Sequence, residues 1–520
     1  MLDELKKRLS EFQSAFLPPV SEGECAEYDF NPDPLASVPF LEFAGRMPHK
    51  KSADISGSPL GIGFETLDRR TFEPSKTFPW LAESGVKHAR CQTGWMRCET
   101  VPGQFDFGWL DEVVDGLASI GIRTWFSLSY GNPLYTPNRE YAVAWEEARK
   151  TGKTVPGWAR GYVAETPFYH GEESMTAWRR YVAALTTHFG GRVSEWEVWN
   201  EPEAFWLRNN RNVAVTEGIP KAARDYVEFV RDTASVVRSV LPDARIIADV
   251  AQTGTTYIRE LGKNRLGEVI DVFSYHFYGN NPEDFLPERV AHIRANLEIP
   301  GKKLEVWEGE SGRASGKSAL FAMPSEYNQA KYLVRRHVSD IACGCSLTSF
   351  FTATDLLCYY PDGGDSHYGI IHARENRPKL AYFAMQSLGW LFDGLETAPE
   401  YFCAFTPLRK QQFCSVLPFS VKTLSLRRKG IPVFALWLPE NVEISAQTVP
   451  GMIQVVTEDA PLLREPIFID PIRRNVYGFR DGNPRRNMNF GSFIGAQEFG
   501  PISLPDYPVF ISDASLFSGN

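Results

Sequence analysis

From Leu60 to about Leu395, short apolar runs alternate with segments whose apolar residues recur at helical spacing. That alternation is the pattern of a parallel sheet with crossover helices. The strand-like runs begin "LGIGF" (60–64), "VKHARCQT" (86–93), "GIRTWFSLS" (121–129) and "SEWEVWN" (194–200). They continue "ARIIADV" (244–250), "VIDVFSYHFY" (269–278), "KKLEVWEGE" (302–310) and "CSLTSFFTA" (345–353). Helical periods cover 109–120, 175–189, 221–241, 283–297, 326–342 and 378–392, with shorter ones after the first and fifth strands. Eight strand–helix repeats predict an α/β fold, a (β/α)8 TIM barrel with insertions. An open doubly wound sheet is the alternative, but no glycine fingerprint follows the first strand.

Beyond about residue 397 the helical period ends. "YFCAFT", "FCSVLP", "PVFALWLP", "GMIQVVT" and "PVFIS" recur between turn residues, which predicts an all-β, sandwich-like accessory domain. The start of the chain, "MLDELKKRLSEFQSAF", reads as an amphipathic helix. The proline-rich stretch 18–57 reads as an extended arm lying on the barrel or on the β domain. The predicted organisation is therefore 1–57 helix and arm, 58–396 barrel, and 397–520 β domain. One barrel insertion stands out at 131–173, after the third strand; its tyrosines and tryptophans suggest a packed loop at the active face.

Composition narrows the function. With 43% hydrophobic and 23% charged residues in 520, the chain supports a large core. Net charge is −9 and the basic residues form no stripe, so nucleic acid is not an expected partner. No stretch reaches the roughly 20 apolar residues that span a bilayer, and no export-signal pattern opens the chain, so a cytoplasmic location without membrane association is expected. Eight cysteines without a CxxC pair read as reduced thiols. His276, His367 and His372 form no metal-ligand spacing, and no phosphate or nicotinamide motif occurs, so neither metal nor cofactor is expected.

Barrel enzymes carry their chemistry at the carboxyl ends of the strands. The fourth strand runs "EWEVWN" into Glu201 and Pro202. A proline cannot continue the hydrogen-bonded ladder, so the glutamate is left at the rim. The seventh strand ends "EVWEGESGRAS" and brings Glu308 and Glu310. Three βα units separate these strands, which sets two carboxylates across one barrel mouth. Acids about 5 Å apart are what retaining glycoside hydrolysis uses, one as nucleophile and one as proton donor. Alternation gives Glu308 the same face as Glu310, one pleat deeper by about 7 Å.

Trp199-Asn200-Glu201-Pro202 resembles the acid/base motif of the clan A retaining glycoside hydrolases. The resemblance implies Glu201 as acid/base and Asn200 as a ligand of the sugar 2-hydroxyl. "GESGRAS" resembles the clan's nucleophile segment and implies Glu310 as nucleophile, ahead of Glu308. "SYHFY" is similar to the strand-six pair around nucleophile and leaving group, His276 and Tyr278; Arg90 matches the arginine that supports the nucleophile. The long third-strand loop, "QTGWMRCE" and the β domain most resemble family 39 and its relatives. One departure is the eighth strand, where "SFFTATD" offers Phe350, Phe351 and Asp355 in place of a tryptophan.

Tyr278, at its strand end, is placed to donate to Glu310 and orient it. Among 13 tryptophans, Trp95, Trp199, Trp206 and Trp307 lie near strand ends and are candidate sugar platforms. The loop after the eighth strand, with Asp355, Asp362, Asp365 and His367, is a candidate pocket wall. The expected activity is retaining hydrolysis of β-D-glycosides, or equivalent α-L-arabinosides, in oligosaccharides or small glycosides. A transglycosylase using the same residues and an inactive sugar-binding barrel are the alternatives, and self-association is left open.

Overall fold

The computed structural model describes residues 2–11, 33–65, 67–136, 150, 165–210, 215–251, 254–316, 322–323, 325–360, 363–408, 421–441, 448–457, 463–480, 486–490 and 493–518. Most of the 131–173 insertion, the run "FCSVLP", Asp362, Cys25 and Cys414 lie outside them.

Eight parallel strands close a barrel: β1 Leu60–Gly63, β2 His88–Gln92, β3 Arg123–Leu128, β4 Glu195–Val198, β5 Arg245–Val250, β6 Val272–Tyr275, β7 Glu305–Ser311 and β8 Leu347–Phe350, with β8 pairing back onto β1. Helices Pro74–Ala82, Gly108–Ser119, Glu172–Phe189, Val215–Val240, Thr255–Lys263, Leu286–Leu297, Glu326–Ala342 and Leu380–Phe392 follow the strands in turn. The helix Glu326–Ala342 starts where Ser325 turns extended and its Oγ accepts the Asn328 N–H at 3.2 Å, which satisfies one of the free donors of a helix start.

Strand alternation sorts side chains into two environments. Outward residues such as Trp196, Val198 and Ile246 join the core shared with the helices. Inward, Trp125, Ile247, Val272, Trp307 and Leu347 form a separate apolar plug. It lies at the amino end, because the Trp307 indole donates to Glu305 and lies under Arg245, the first residues of β7 and β5. Above the plug the interior becomes polar.

The β domain is two antiparallel sheets. A seven-stranded sheet runs Leu41–Arg46, Asn475–Phe479, Pro466–Asp470, Val509–Asp513, Ile431–Trp437, Lys422–Arg428, Leu395–Thr397. A four-stranded sheet runs Tyr401–Pro407, Thr448–Thr457, Phe493–Pro505, Arg486–Phe490. Phe468 and Phe479 of the first sheet meet Phe499 of the second, giving a sandwich-like packing. The arm therefore lies on the β domain: Leu41–Arg46 pairs antiparallel with Asn475–Phe479 as an edge strand. The helix Leu2–Glu11 covers that strand, with Leu9 against Gly45 and Lys6 bonding Glu42 at 2.5 Å. Among the described residues no helix is long and apolar enough to cross a membrane.

Candidate active site

The end of β4 is built by two residues with left-handed backbone. Trp199 has φ +75° and Glu201 φ +50°, both unusual for residues with a Cβ. The Trp199 N–H bonds the Leu128 carbonyl at 3.1 Å, and Ser127 Oγ donates to the Trp199 carbonyl at 3.1 Å, so β3 holds the turn. The Glu201 N–H donates to Asp249 Oδ2, at the end of β5, at 2.8 Å. Pro202 then opens the helix Pro202–Asn209, with Glu201 as its N-cap residue. The tryptophan itself is buried between Trp178, Phe205, Trp206 and Phe229, which anchors the turn from outside the barrel. The strand end thus presents Glu201 at the mouth, its side chain 19% exposed.

Across the mouth, Glu310 is 11% exposed in its side chain and fully engaged. The Tyr278 hydroxyl donates to Oε1 at 2.7 Å, and Arg90 Nη1 donates to Oε2 at 2.5 Å. His276 links the two acids: its Nδ1 lies 3.1 Å from Glu201 Oε1 and 3.8 Å from Glu310 Oε2. One oxygen of each carboxylate and an imidazole nitrogen all lie within 4.8 Å of one another. Burial, then the charge of Glu310, pushes the Tyr278 hydroxyl well up, so it stays a donor.

Arg90 is the hub beneath. It bonds Glu197 through Nε, at 3.2 and 3.1 Å, and through Nη2. It also donates to Glu65 Oε2 at 3.1 Å and to Asn200 Oδ1 at 2.7 Å. Asn200 in turn donates to the Tyr130 hydroxyl at 2.6 Å. Burial pushes the Glu65 and Asp249 carboxyls well above the usual carboxylate range. Arg90 stays charged, because Glu197, Glu65 and Glu310 outweigh its burial.

Arg90, Asn200, Glu201, His276, Tyr278 and Glu310 are therefore brought together as the sequence suggests. Four tryptophans are not. Trp95 is buried, stacked on Tyr135 and Tyr181, and its indole donates to Glu99 at 2.7 Å. Trp307 belongs to the plug at the far end of the barrel. Trp199 and Trp206 lie in the aromatic layer behind β4. These large apolar faces gain more from burial between sheet and helices than from a place at the rim. Asp355 is also a correction: it is buried and accepts from Lys379 at 2.7 Å and from the Gly369 N–H at 3.1 Å, with His372 at 3.3 Å. It braces the loop after β8 rather than lining the pocket. Burial alone would raise its carboxyl, but His367, His372 and Lys379 together hold it well below the usual range.

Glu308 faces away from Glu310. Between Thr348 and Phe350 the β7–β8 register shifts, so Gly309 and Glu310 oppose Ser349 alone. This bulge turns Glu310 into the mouth and leaves Glu308 directed at Arg336 and Asp340 of the helix Glu326–Ala342, accepting the Phe277 N–H at 3.2 Å. Glu308 is fully buried, and burial pushes its carboxyl well up.

Sequence reading missed Glu65, Glu197, Asp249 and Tyr130. Glu197 shares the inward alternation of "EWEVWN", and Asp249 is the acid near the end of an apolar run, so each carried a detectable signal. Two sets, Glu197–Asp249–His276 and Glu201–His276–Glu310, group donor atoms of the kind that hold a divalent cation. Arg90 already supplies positive charge to both Glu197 and Glu310.

Residues 67–211, which include β2, β3, β4 and the Glu201 turn, match the family model of the glycoside hydrolase family 42 beta-galactosidases. A beta-galactosidase of Thermus thermophilus is 29% identical over 116 residues, 21% of this chain; that match spans only 17% of the relative's length. A family 39 glycoside hydrolase from Bacteroides cellulosilyticus WH2 has the same fold, with a TM-score of 0.61 at 18% identity, over 90% of this chain and 83% of the other. The family 39 enzyme of Xanthomonas axonopodis pv. citri aligns at TM-score 0.51 and 15% identity, over 92% and 97%. The chain thus shares its fold with the family 39 glycoside hydrolases, and its second to fourth barrel strands, with the Glu201 turn, are similar to the family 42 beta-galactosidases.

Proposed function

We propose that the protein is a retaining glycosidase acting on β-D-glycosides, or the stereochemically equivalent α-L-arabinosides, of short oligosaccharides. The carrying observation is the approach of a Glu201 oxygen and a Glu310 oxygen within 4.8 Å. So close an approach supports double displacement, since the carboxyl groups of inverting pairs stand about 6.5–9.5 Å apart to admit a water. Glu310, held by Arg90 and Tyr278, attacks the anomeric carbon as the glycosidic bond breaks. Glu201 gives its proton to the leaving oxygen. In the second step Glu201 takes a proton from water, whose oxygen displaces Glu310 and frees the sugar. Tyr278 and Arg90 hold and aim the Glu310 oxygens. Asn200, fixed from both ends of its amide by Arg90 and Tyr130, precedes Glu201 in the turn and is of a type suited to a sugar hydroxyl.

Intact-mass spectrometry after incubation with activated 2-deoxy-2-fluoro glycosides tests the reading, with the galactoside first because the sequence relatives are beta-galactosidases. The expected result is a stable adduct on Glu310, absent in Glu310→Gln. Glu310→Gln should lower kcat by roughly 10³-fold or more, as loss of a nucleophile does. An adduct on another residue, or none with any sugar and no turnover, refutes the proposal.

A further inference from the structure

Asp249 is a buried acid that the reaction steps above leave unused, and it meets the Glu201 side of the site twice. Its Oδ2 accepts the Glu201 N–H at 2.8 Å, inside the left-handed turn. The same oxygen lies 3.5 Å from His276 Nε2, while His276 Nδ1 faces Glu201 Oε1 at 3.1 Å. Two atoms here have no hydrogen-bond partner among the described residues, Asp249 Oδ1 and His276 Nε2. Their pairing is a question of one proton. Once Glu201 has given up its proton its oxygens only accept, so Nδ1 must then carry hydrogen to bond it, and a neutral imidazole has a lone pair on Nε2. That lone pair meets Asp249, and the contact is attractive only if a proton lies between them.

We infer that Asp249 is a positioning residue for the acid/base: in its protonated form it fixes the Nδ1–H tautomer of His276 and the backbone of Glu201, so that one group sets both the place and the hydrogen-bond donor of that carboxylate. The surroundings support a protonated Asp249. Burial raises its carboxyl, and Glu197 raises it further; Arg90, 3.9 Å away and already bonded to Glu197, lowers it. Glu203, Tyr226 and Tyr257 face it from the helices behind β4 and β5, and none brings positive charge. Glu310 is the remaining charged group near the imidazole. Left-handed residues persist only where neighbours hold them, and the Asp249 bond to the Glu201 N–H is such a restraint.

This inference rests on the glycosidase reading for its kinetic arm, and a second arm is independent of turnover. Both contacts use Oδ2, so Asp249→Asn can keep only one of them, the acceptor for the Glu201 N–H or a donor for His276 Nε2, whereas Asp249→Ala removes both. With the best glycoside substrate, Asp249→Asn should lower kcat by no more than about tenfold, less than Asp249→Ala does. Asp249→Ala should lower kcat about 10- to 100-fold with KM changed less than about threefold. Its alkaline limb of kcat/KM should move up by about one pH unit, because the ionised Glu201 loses a donor. Wild-type kcat in Asp249→Ala, or equal losses in both variants with an unmoved limb, overturns the proposal. The independent arm is the imidazole nitrogen spectrum of protein labelled with 15N-histidine, with His276 among nine histidines assigned by its loss in His276→Gln. A neutral Nδ1–H ring in wild type at alkaline pH is expected; an Nε2–H ring or an imidazolium there overturns the proposal even if no glycoside is turned over or Asp249→Ala fails to fold.

Discussion

Glu65 and Glu197 both bond Arg90, yet their energetics are opposite. Glu197 forms an ion pair with Arg90 in the barrel interior, with neither side chain exposed. Removing its charge leaves the buried guanidinium to Glu310 and Glu65, and Glu197→Gln should cost about 3 kcal/mol in urea unfolding. Glu65 keeps its proton in the folded state to a higher pH than in the unfolded chain, because burial raises its carboxyl. The folded state thus binds more protons over that interval, and wild type loses stability as pH rises from the usual carboxylate range through the raised value. Glu65→Gln does not titrate, still accepts from Arg90, and should match wild type near pH 4 and exceed it increasingly toward pH 8. A constant difference across that range would contradict the assignment. Glu201, Glu310, Arg90, His276 and Tyr278 were legible at this scale because motif and strand order place them together. Glu65 and Asp249 were not, since a carboxyl reads the same in sequence whether it is solvated or buried.

The decisive element is β7, whose bulge separates Glu308 from Glu310. Strict alternation predicts one face for both, and the register shift defeats that prediction. Gly309 makes the bulge possible: a Cβ there would lie 2.1 Å from Ser274 Oγ and 3.5 Å from His276 Nε2. Gly309→Ala must therefore turn the Ser274 hydroxyl aside or shift the strand. A loss of about 1–3 kcal/mol, with kcat falling at least about tenfold because Glu310 is re-aimed, is the expected outcome. Unchanged kcat would mean that the bulge does not aim the carboxylate. The tryptophans teach the complementary lesson at β4. A strand-end position was visible in sequence, but which side of the sheet each ring takes depends on the helices that cover it.

At the scale of the whole molecule, the barrel and the β domain share buried charge. Lys331 on the helix Glu326–Ala342 bonds Asp506 at 2.6 Å with neither side chain exposed. Arg335 on the same helix donates to the carbonyls of Glu440, at 2.5 Å, and Asp506, at 3.3 Å. Burial draws Lys331 down and Asp506 up, so each charge depends on the other. Lys331→Met alone should cost about 3 kcal/mol, and Lys331→Met with Asp506→Leu should recover to within about 1 kcal/mol of wild type. The two domains should unfold in one transition by fluorescence and by circular dichroism. Separate transitions would show that this contact does not couple them.

By itself the chain determined the count and order of strands and helices, the all-β character of the C-terminal part, and the two strand ends that carry Glu201 and Glu310. These follow from hydrophobic period and from proline and glycine placement, which are local properties of the backbone. Only the tertiary structure decided that Glu308 turns outward, that Trp95 and Trp307 are core, that Asp355 braces a loop, and that Asp249 underlies Glu201. Each depends on what lies across the sheet, a bulge partner, a covering helix or a charge from a distant strand, and barrel closure brings those groups together from 65 to 310 along the chain.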